Sequence, residues 1–392
     1  MILRVPILCF CVFASLVLLL GCRGKHHARE DAAVAAKPKP VDAGDAFAEL
    51  ASFPHVQPER VIALPARPDV PRFDVGGPAV IGDVAAVASS QFGFLGVDWR
   101  AGHVAWTKPA GAHIAPPVVM AGSFVLIGEC LNAQDVKDTL LGCLRVVTPT
   151  GADQGYLAIH GKGVEEFAVT PGDQHVWPAG EHQVVWMRGE QAVTVDLMTG
   201  VAVKAPAEAP PIVIKGKDRS WSLTQDEDGH IHAAGKPPWQ TTQAYTKLLG
   251  GVYLPGQGPM VRAIRAGAFA GHPEIDVFDI DATGSMHGTV AFPVPGIGLI
   301  GSAIDAVGDA VLAVRLDTSL ERDFIAGYAA NGLLMWVYPL PHEPRPDPVG
   351  VAIASDAVVV FHDGDTLTIL PEVSAPPTAP GAARAPSENA TP

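Results

Sequence analysis

The chain has 392 residues, a formal net charge of −14 and 17% charged residues, with 41 glycines and 36 prolines. An acidic chain does not favour nucleic-acid binding, because phosphate contacts need clustered lysine and arginine. Abundant glycine and proline with few charges is typical of many short strands joined by tight turns, and it disfavours long helices.

The first 22 residues predict an export signal. Arg4 precedes an apolar stretch from Val5 to Leu20, and Gly21 and Cys22 follow. A positive start, an apolar stretch of about 7–15 residues and a small residue before the cut describe a secretory signal peptide. The cysteine after the small residue resembles the lipobox of bacterial lipoproteins, which implies cleavage before Cys22 and its lipidation. A transmembrane anchor is the alternative, but the run is shorter than the ~20 residues that a spanning helix needs.

The resemblance to lipoproteins implies a location in the bacterial cell envelope, with the lipid on Cys22 as the membrane attachment. Arg23 rather than an aspartate follows Cys22, which by analogy with enteric sorting favours the outer membrane and a body that faces the periplasm. Composition predicts four segments along the chain. They are a signal peptide (1–21), a lipidated N-terminus with a flexible tether (22–57), a folded body (58–372) and a disordered Pro/Ala-rich tail (373–392).

The folded body contains two cysteines, Cys130 and Cys143. An even pair in an oxidising compartment predicts a disulfide. Metal binding by the two thiols is the alternative, but no neighbouring histidine or cysteine completes a zinc site.

A repeat runs through the body. Six glycines recur with spacings of 49, 49, 35, 49 and 48 residues: Gly102, Gly151, Gly200, Gly235, Gly284 and Gly332. A tryptophan stands four residues after three of them: Trp106, Trp239 and Trp336. Seven turns in phase with these glycines separate apolar, β-branched segments. They are Gly82-Asp83, Gly122-Ser123, Gly180-Glu181, Lys217-Asp218, Gly250-Gly251, Gly308-Asp309 and Ser355-Asp356.

A repeat unit of ~40–50 residues with about four strands is typical of a propeller blade. The sequence therefore predicts an all-β fold, a seven-bladed β-propeller of four-stranded antiparallel blades, with six to eight blades possible. The seventh unit has three strands, and Arg60–Leu64 is predicted to supply its fourth. A β-helix is the alternative repeat architecture, but it lacks the regular four-strand count.

Two segments resemble the PQQ-like, quinoprotein-type propeller repeat, in which an aspartate and a Thr-Gly turn precede a tryptophan that docks between blades. They are residues 78–106 (PAVIGDVAAVASSQFGFLGVDWRAGHVAW) and 325–336 (IAGYAANGLLMW). Asp98, Gly102 and Trp106 match the pattern best, whereas Lys204 replaces the tryptophan of the third unit and Tyr328 the aspartate of the sixth. The resemblance implies structural roles for the recurring glycines and tryptophans.

The same resemblance raises an alternative function, a ligand-binding or PQQ-dependent oxidoreductase propeller. Such enzymes are usually longer and have eight blades, and many carry adjacent cysteines, which this chain lacks after its signal. We predict no catalytic residue, no cofactor and no metal site. Asp279–Gly284 imitates half of an EF-hand loop, but Val290 stands where the bidentate acidic ligand is needed. His230 and His232, with Asp226 and Asp228 nearby, are an alternative metal site.

The main functional hypothesis is a monomeric, non-catalytic propeller scaffold that binds a protein or envelope partner, similar to the propeller lipoproteins that assist outer-membrane protein assembly. Its basis is three long segments predicted between second and third strands, on one face: Glu129–Cys143, Pro255–Glu274 and Leu316–Asp323. Long loops on a rigid scaffold often carry binding residues. Tolerated surface insertions are the alternative.

The second of these segments supplies the candidate partner-binding residues. They are Met260, Arg262, Ile264, Arg265 and Phe269. The apolar side chains would be costly to expose without a cover, and the arginines would favour an acidic partner through charge contrast.

Overall fold

Apolar, β-branched segments form strands throughout the part of the chain that the computed structural model describes. The described residues are 53–67, 69, 75–111, 113–131, 140–161, 163–164, 167, 174–206, 212–215, 220–234, 239–245, 247–254, 258–265, 274–279, 286–291, 298–305, 308–315, 323–329, 333–340 and 349–373. Within these residues no helix is long and apolar enough to cross a membrane.

The described residues form 28 strands. In chain order they are β1 (Arg60–Ala63), β2 (Val75–Ile81), β3 (Val84–Ser89), β4 (Gly93–Asp98), β5 (His103–Lys108), β6 (Val118–Met120), β7 (Ser123–Gly128), β8 (Leu140–Val147), β9 (Asp153–Gly161), β10 (Gln174–Pro178), β11 (Gln183–Arg188), β12 (Gln191–Asp196), β13 (Val201–Ala205), β14 (Ile212–Lys215), β15 (Ser220–Gln225), β16 (Ile231–Ala234), β17 (Trp239–Gln240), β18 (Lys247–Leu254), β19 (Gly258–Arg265), β20 (Glu274–Asp279), β21 (Met286–Ala291), β22 (Gly298–Ile304), β23 (Ala310–Arg315), β24 (Asp323–Tyr328), β25 (Leu334–Pro339), β26 (Gly350–Ile353), β27 (Ala357–His362) and β28 (Thr366–Pro371).

These strands group into antiparallel sets of four, which confirms the predicted all-β propeller. In the described part of the chain the sets are blade 1 (β2–β5), blade 2 (β6–β9), blade 3 (β10–β13), blade 4 (β14–β17), blade 5 (β18–β21), blade 6 (β22–β25) and blade 7 (β26–β28 with β1). The fourth strand of blade 3 also pairs in parallel with the fourth strand of blade 2, through Val201 opposite His160. Blades 2 and 3 therefore share one eight-stranded sheet.

The N-terminal strand completes the last blade. Arg60 lies opposite Ile369 in the antiparallel pairing of β1 with β28, so the prediction that Arg60–Leu64 supplies the missing strand is confirmed. Just before β1, the Val337 backbone N–H of β25 donates to the Pro54 carbonyl at 2.9 Å. The chain therefore covers part of the outer edge of blade 6 before it enters blade 7, which reduces the exposed sheet edge.

Ion pairs reinforce the junction between blades 7 and 1. The Arg100 guanidinium donates to both carboxylate oxygens of Asp356, at 2.9 and 2.8 Å, and to Asp83 at 3.0 Å. Arg100 also lies 4.7 Å from the centre of the Trp99 ring. A bidentate arginine contact of this kind fixes geometry as well as charge.

The core lies between neighbouring blades, and blade 7 packs both of its faces. In β27 every side chain is buried. Val358 and Val360 pack with blade 6, whereas Val359 and Phe361 pack with blade 1. Successive side chains of a strand point to opposite faces, so a strand covered on both faces is apolar without interruption.

The recurring Asp and Gly of the repeat build the turn between third and fourth strands. Asp98 accepts the Ala101 N–H on its carboxylate at 2.7 Å, and Asp196 accepts the Thr199 N–H at 2.9 Å. Gly102 and Gly200 follow with φ of 82° and 72°, a region that glycine occupies without steric cost. Gly151 holds the corresponding place in blade 2, whereas Gly235, Gly284 and Gly332 lie outside the described residues.

Two recurring tryptophans dock on the neighbouring blade. Trp106 is 8% exposed and its Nε1–H donates to the Pro149 carbonyl of blade 2 at 3.0 Å. Trp336 is fully buried, and its Nε1–H donates to the backbone carbonyl of Glu372 at 3.4 Å. Glu372 directly follows β28 of blade 7. The side chain of Trp239 lies outside the described residues, although its backbone belongs to β17.

Blade 5 corrects two predictions. Gly250 and Gly251 lie inside β18, beside a register shift, and are not a turn between strands. The predicted loop Pro255–Glu274 contains the whole of β19. The Gly-rich stretch before β19 favoured a loop locally, but pairing with β18 and β20 places Gly258–Arg265 in the middle of the sheet.

Candidate functional site

The three long loops share one end of the propeller. They connect second to third strands and span 129–139 in blade 2, 266–273 in blade 5 and 316–322 in blade 6. The blade 2 and blade 6 loops lie where they were predicted, whereas the blade 5 loop is only the last part of the predicted segment Pro255–Glu274. Because strand direction alternates within every blade, loops at equivalent positions leave the blades at the same end. We call it the long-loop end. Most of the loop residues lie outside the described ones, so the flanking strands define the candidate site.

A disulfide fixes the blade 2 loop at its base. The sulfurs of Cys130 and Cys143 are bonded, with their Cα atoms 5.1 Å apart, as the sequence predicted. Cys143 lies in β8 opposite Gly128 of β7. On the other side, the Glu129 N–H donates to the His113 carbonyl at 2.7 Å. The start of the loop is therefore attached both to its own sheet and to the connection from blade 1.

An aromatic side chain and an arginine flank this disulfide. The Tyr156 hydroxyl donates to the Cys143 sulfur at 3.2 Å, and the Arg145 guanidinium lies 4.4 Å from the centre of the tyrosine ring. Asp153 accepts Lys108 at 2.9 Å and contacts Arg145 at 3.5 Å. The Tyr156 side chain therefore has a partner for its hydroxyl and a cation against its ring, while the residue is 51% exposed.

Leu131 adds an exposed aliphatic side chain next to the disulfide, with 49% of its surface accessible. It lines a shallow depression together with Glu129, Cys143, Arg145 and Tyr156. We call Leu131, Cys130, Cys143, Arg145 and Tyr156 the blade 2 loop base. An exposed tyrosine is a residue that protein interfaces often use, because its ring buries a large apolar area while its hydroxyl keeps a hydrogen-bond partner. Leu131 adds apolar area beside it.

The structure removes two of the predicted partner-binding residues from the surface. Met260 is 6% exposed and Arg262 is 2% exposed. Arg262 donates to the Gly308 carbonyl and, at 3.2 Å, to the Ala329 carbonyl. Both acceptors belong to blade 6, so Arg262 joins blades 5 and 6 and does not face a partner. Burial lowers the pKa of its guanidinium to about 10, an effect that nearby Asp309 and Asp305 oppose.

The other three candidates remain predictions. Ile264 and Arg265 lie in β19, but their side chains are outside the described residues, as is the whole of Phe269.

The two histidines of blade 4 have separate partners. His232 Nε2 lies 2.7 Å from the Asp226 carboxylate, whose pKa is lowered mainly by that hydrogen bond. His230 Nδ1 instead contacts the Thr241 carbonyl at 3.1 Å. Within the described residues no group of three His, Cys, Asp or Glu side chains could hold a metal ion.

A cavity of about 210 Å³ lies in blade 3, between the connection from blade 2 and the outer strands. Its lining includes Val164, Phe167, Val193, Gln191 and Lys204. Sites for small molecules usually have ~300–1,000 Å³, so this cavity gives little support to a ligand-binding enzyme.

Comparison with known proteins gives a fold and no family. No protein-family model and no curated protein sequence matches this chain. Among solved structures, the β-propeller domain of Cps50 (Swd1) from Myceliophteria thermophila is 11% identical, with a TM-score of 0.51 over 81% of this chain and 99% of that one. A chain of the mitotic checkpoint complex is 11% identical, with a TM-score of 0.48 over 88% and 98%. BamB from Moraxella catarrhalis is 12% identical, with a TM-score of 0.36 over 81% and 99%. At such identities the likeness shows the β-propeller class alone.

Sequence reasoning missed the blade 2 loop base except for its disulfide. Tyr156 and Arg145 lie opposite each other on β9 and β8, eleven positions apart along the chain. The turn at Gly151 predicts that the two strands pair, and a cross-strand Arg–Tyr pair follows once the register is known. Register, which includes a shift between Val146 and Val147, is what the sequence left open.

Proposed function

We propose that this protein is a lipoprotein of the bacterial envelope whose PQQ-like propeller is a non-catalytic scaffold for a protein or envelope partner. In this proposal Cys22 carries the lipid, the monomer is anchored in the outer membrane, and the propeller faces the periplasm. The sequence of residues 1–22 supports the anchor.

The blade 2 loop base carries the proposal for partner binding. It presents Tyr156 and Leu131 about half exposed, and its disulfide and strand pairings hold them in place. A surface that is already ordered loses little conformational entropy when it binds. Its position at the long-loop end adds the blade 5 and blade 6 loops as possible further contacts.

The chemistry of the partner differs from the sequence-based expectation. An acidic partner was expected from Arg262 and Arg265, but Arg262 is buried. Arg145 of the blade 2 loop base and Lys108 of blade 1 both contact Asp153. The proposal therefore rests on apolar and aromatic contact, with no preference for an acidic partner.

Two experiments test the two parts of this proposal. Cys22→Ser should move the protein out of the membrane fraction or block its processing, and unchanged attachment and processing would refute the lipid anchor. For the partner, wild-type and variant proteins are used as bait in cross-linked membrane extracts, and the captured proteins are compared by mass spectrometry.

The binding variants have a matched control. The double variant Leu131→Ser/Tyr156→Ser should lose the captured partner by at least tenfold. Leu333→Ser changes a leucine that is 61% exposed in the blade 6 turn at the opposite end of the propeller, and it should retain the partner. Partner capture that survives the double variant but is lost with Leu333→Ser would place binding at the wrong end and refute the proposal.

A further inference from the structure

The junction between blades 3 and 4 differs from the other junctions of the ring. Apolar clusters with side chains from both neighbours lie between blades 1 and 2, 2 and 3, 4 and 5, 5 and 6, 6 and 7, and 7 and 1. Among the residues that the structure describes, no such cluster joins blade 3 to blade 4. Each of these two blades therefore has one face without an apolar cluster.

The free face of blade 3 is apolar at its outer strand. Ala202 of β13 is buried against blade 2, so its neighbours Val201 and Val203 point to the opposite face. They are 52% and 55% exposed, and Met198 in the preceding turn is 68% exposed. Pairing places partly buried Thr194 beside Val203. The exposed apolar surface of blade 3 therefore consists of Met198, Val201 and Val203.

The free face of blade 4 is mostly polar. Ile214 and Leu223 pack towards blade 5, so Val213, between Ile212 and Ile214, points away from it. Val213 is 52% exposed although it belongs to the first strand of its blade. Ser222 lies opposite Val213, and His232 lies opposite Thr224 on the same face. We call these two free faces, of blade 3 and of blade 4, the seam.

Exposed carboxylates lie in the turns of both blades that form the seam. Exposed acidic residues end the strands of both walls, at Glu181 and Glu190 in blade 3 and at Asp226, Glu227 and Asp228 in blade 4. Asp196, the last residue of β12, lies on the face of Val201, and its carboxylate accepts the N–H groups of Met198 and Thr199. Among the described lysines and arginines, Lys215 lies on these two faces, and Arg188 ends β11 two residues before Glu190. An occupant with positive charge would therefore meet a complementary field.

We propose that the seam binds an extended segment of a partner protein in which apolar side chains alternate with lysine or arginine. Such a segment has an apolar side and a basic side when extended. The apolar side would cover Val201 and Val203, and the basic side would approach the carboxylates. This surface is separate from the long-loop end and does not depend on binding there.

Two other occupants fit the seam less well. A second copy of this chain would bring the same acidic rim and a net charge of −14, which opposes association by like-charge repulsion. Residues 374–392 of the chain contain no Val, Ile, Leu, Met or aromatic residue, so that segment offers no large apolar side chain to Val201 and Val203.

The test uses three fluorescein-labelled heptapeptides with the purified protein. The first alternates lysine with valine, the second glutamate with valine, and the third lysine with serine. Fluorescence anisotropy should give a Kd for the lysine–valine peptide at least tenfold below those of the other two peptides. The Kd of the lysine–valine peptide should increase when the salt concentration is raised from 50 to 300 mM, because salt screens the charges. Equal affinity for the glutamate–valine peptide would overturn the proposal.

Matched variants locate the binding. Val201→Thr/Val203→Thr keeps β-branched side chains at both positions and should weaken peptide binding about tenfold. Val61→Thr changes a valine that is 55% exposed in the outer strand of blade 7 and should have no effect, and circular dichroism checks that all variants fold. Unchanged binding by the double variant would overturn the proposal, as would a loss caused by Leu131→Ser/Tyr156→Ser. A dimer in light scattering that the double valine variant abolishes would assign the seam to a second copy instead.

Discussion

Gly96→Ala should destabilise the junction between blades 1 and 2, because Gly96 makes room for the docked tryptophan. Gly96 lies opposite Trp106 in the pairing of β4 with β5. A Cβ added at Gly96 would collide with the Trp106 indole ring. That ring also packs on Phe124 of blade 2, with 5.8 Å between the ring centres. The indole must therefore move if the alanine is to fit.

The magnitude follows from what the indole loses. Overpacking a filled site costs about 1–3 kcal/mol, and weakening the bond from Trp106 to Pro149 adds about 1 kcal/mol. Alanine recovers up to about 1 kcal/mol, because it loses less backbone entropy than glycine. We expect a net loss of about 2 kcal/mol, which for a protein of this size lowers Tm by roughly 3 °C.

Differential scanning calorimetry of the wild type and four variants tests the cause. The control Gly155→Ala adds a methyl group in β9 where nothing lies within 4 Å, and it should change Tm by less than about 1 °C. In a Trp106→Ala background the clash is gone, so adding Gly96→Ala should cost little. An equal cost of Gly96→Ala with and without Trp106 would refute the reasoning.

Two further predictions concern the disulfide and the ion pairs of the ring. Replacing both Cys130 and Cys143 with serine frees a loop whose closure contributes about 3 kcal/mol by chain entropy. Amide hydrogen exchange should become faster at residues 126–131 and 143–147 and stay unchanged in β27. Faster exchange throughout the propeller would contradict a local role of the disulfide. Arg100 lowers the pKa of Asp356, chiefly through their side-chain hydrogen bond. This contact therefore stabilises the fold above the ordinary carboxyl pKa of about 3.9, and the stabilisation is lost as the pH falls below that value and Asp356 becomes protonated. Arg100→Met should therefore lower Tm at pH 7 but not near pH 2, and a Tm difference that does not depend on pH would exclude the ion pair as its cause.

Local signals made the blades predictable. The Asp and Gly of a repeat build a turn within a few residues, as Asp98 with Gly102 and Asp196 with Gly200 do, and such a turn needs no distant partner. Arg60–Leu64 was predictable as the closing strand because the seventh unit lacked one, and β1 occupies that place. Export and lipidation at Cys22 also rest on local sequence and remain predictions.

The tertiary structure decided which strand faces are covered. Gly258–Arg265 resembled a loop until pairing with β18 and β20 made it a central strand. Arg262 is buried because its carbonyl partners stand 46 and 67 positions away in the sequence. Conversely, the apolar run Ile212-Val213-Ile214 is typical of a strand buried on both faces, yet Val213 is 52% exposed. Sequence periodicity gives the direction of a side chain, but only the packing of neighbouring blades determines whether anything covers it.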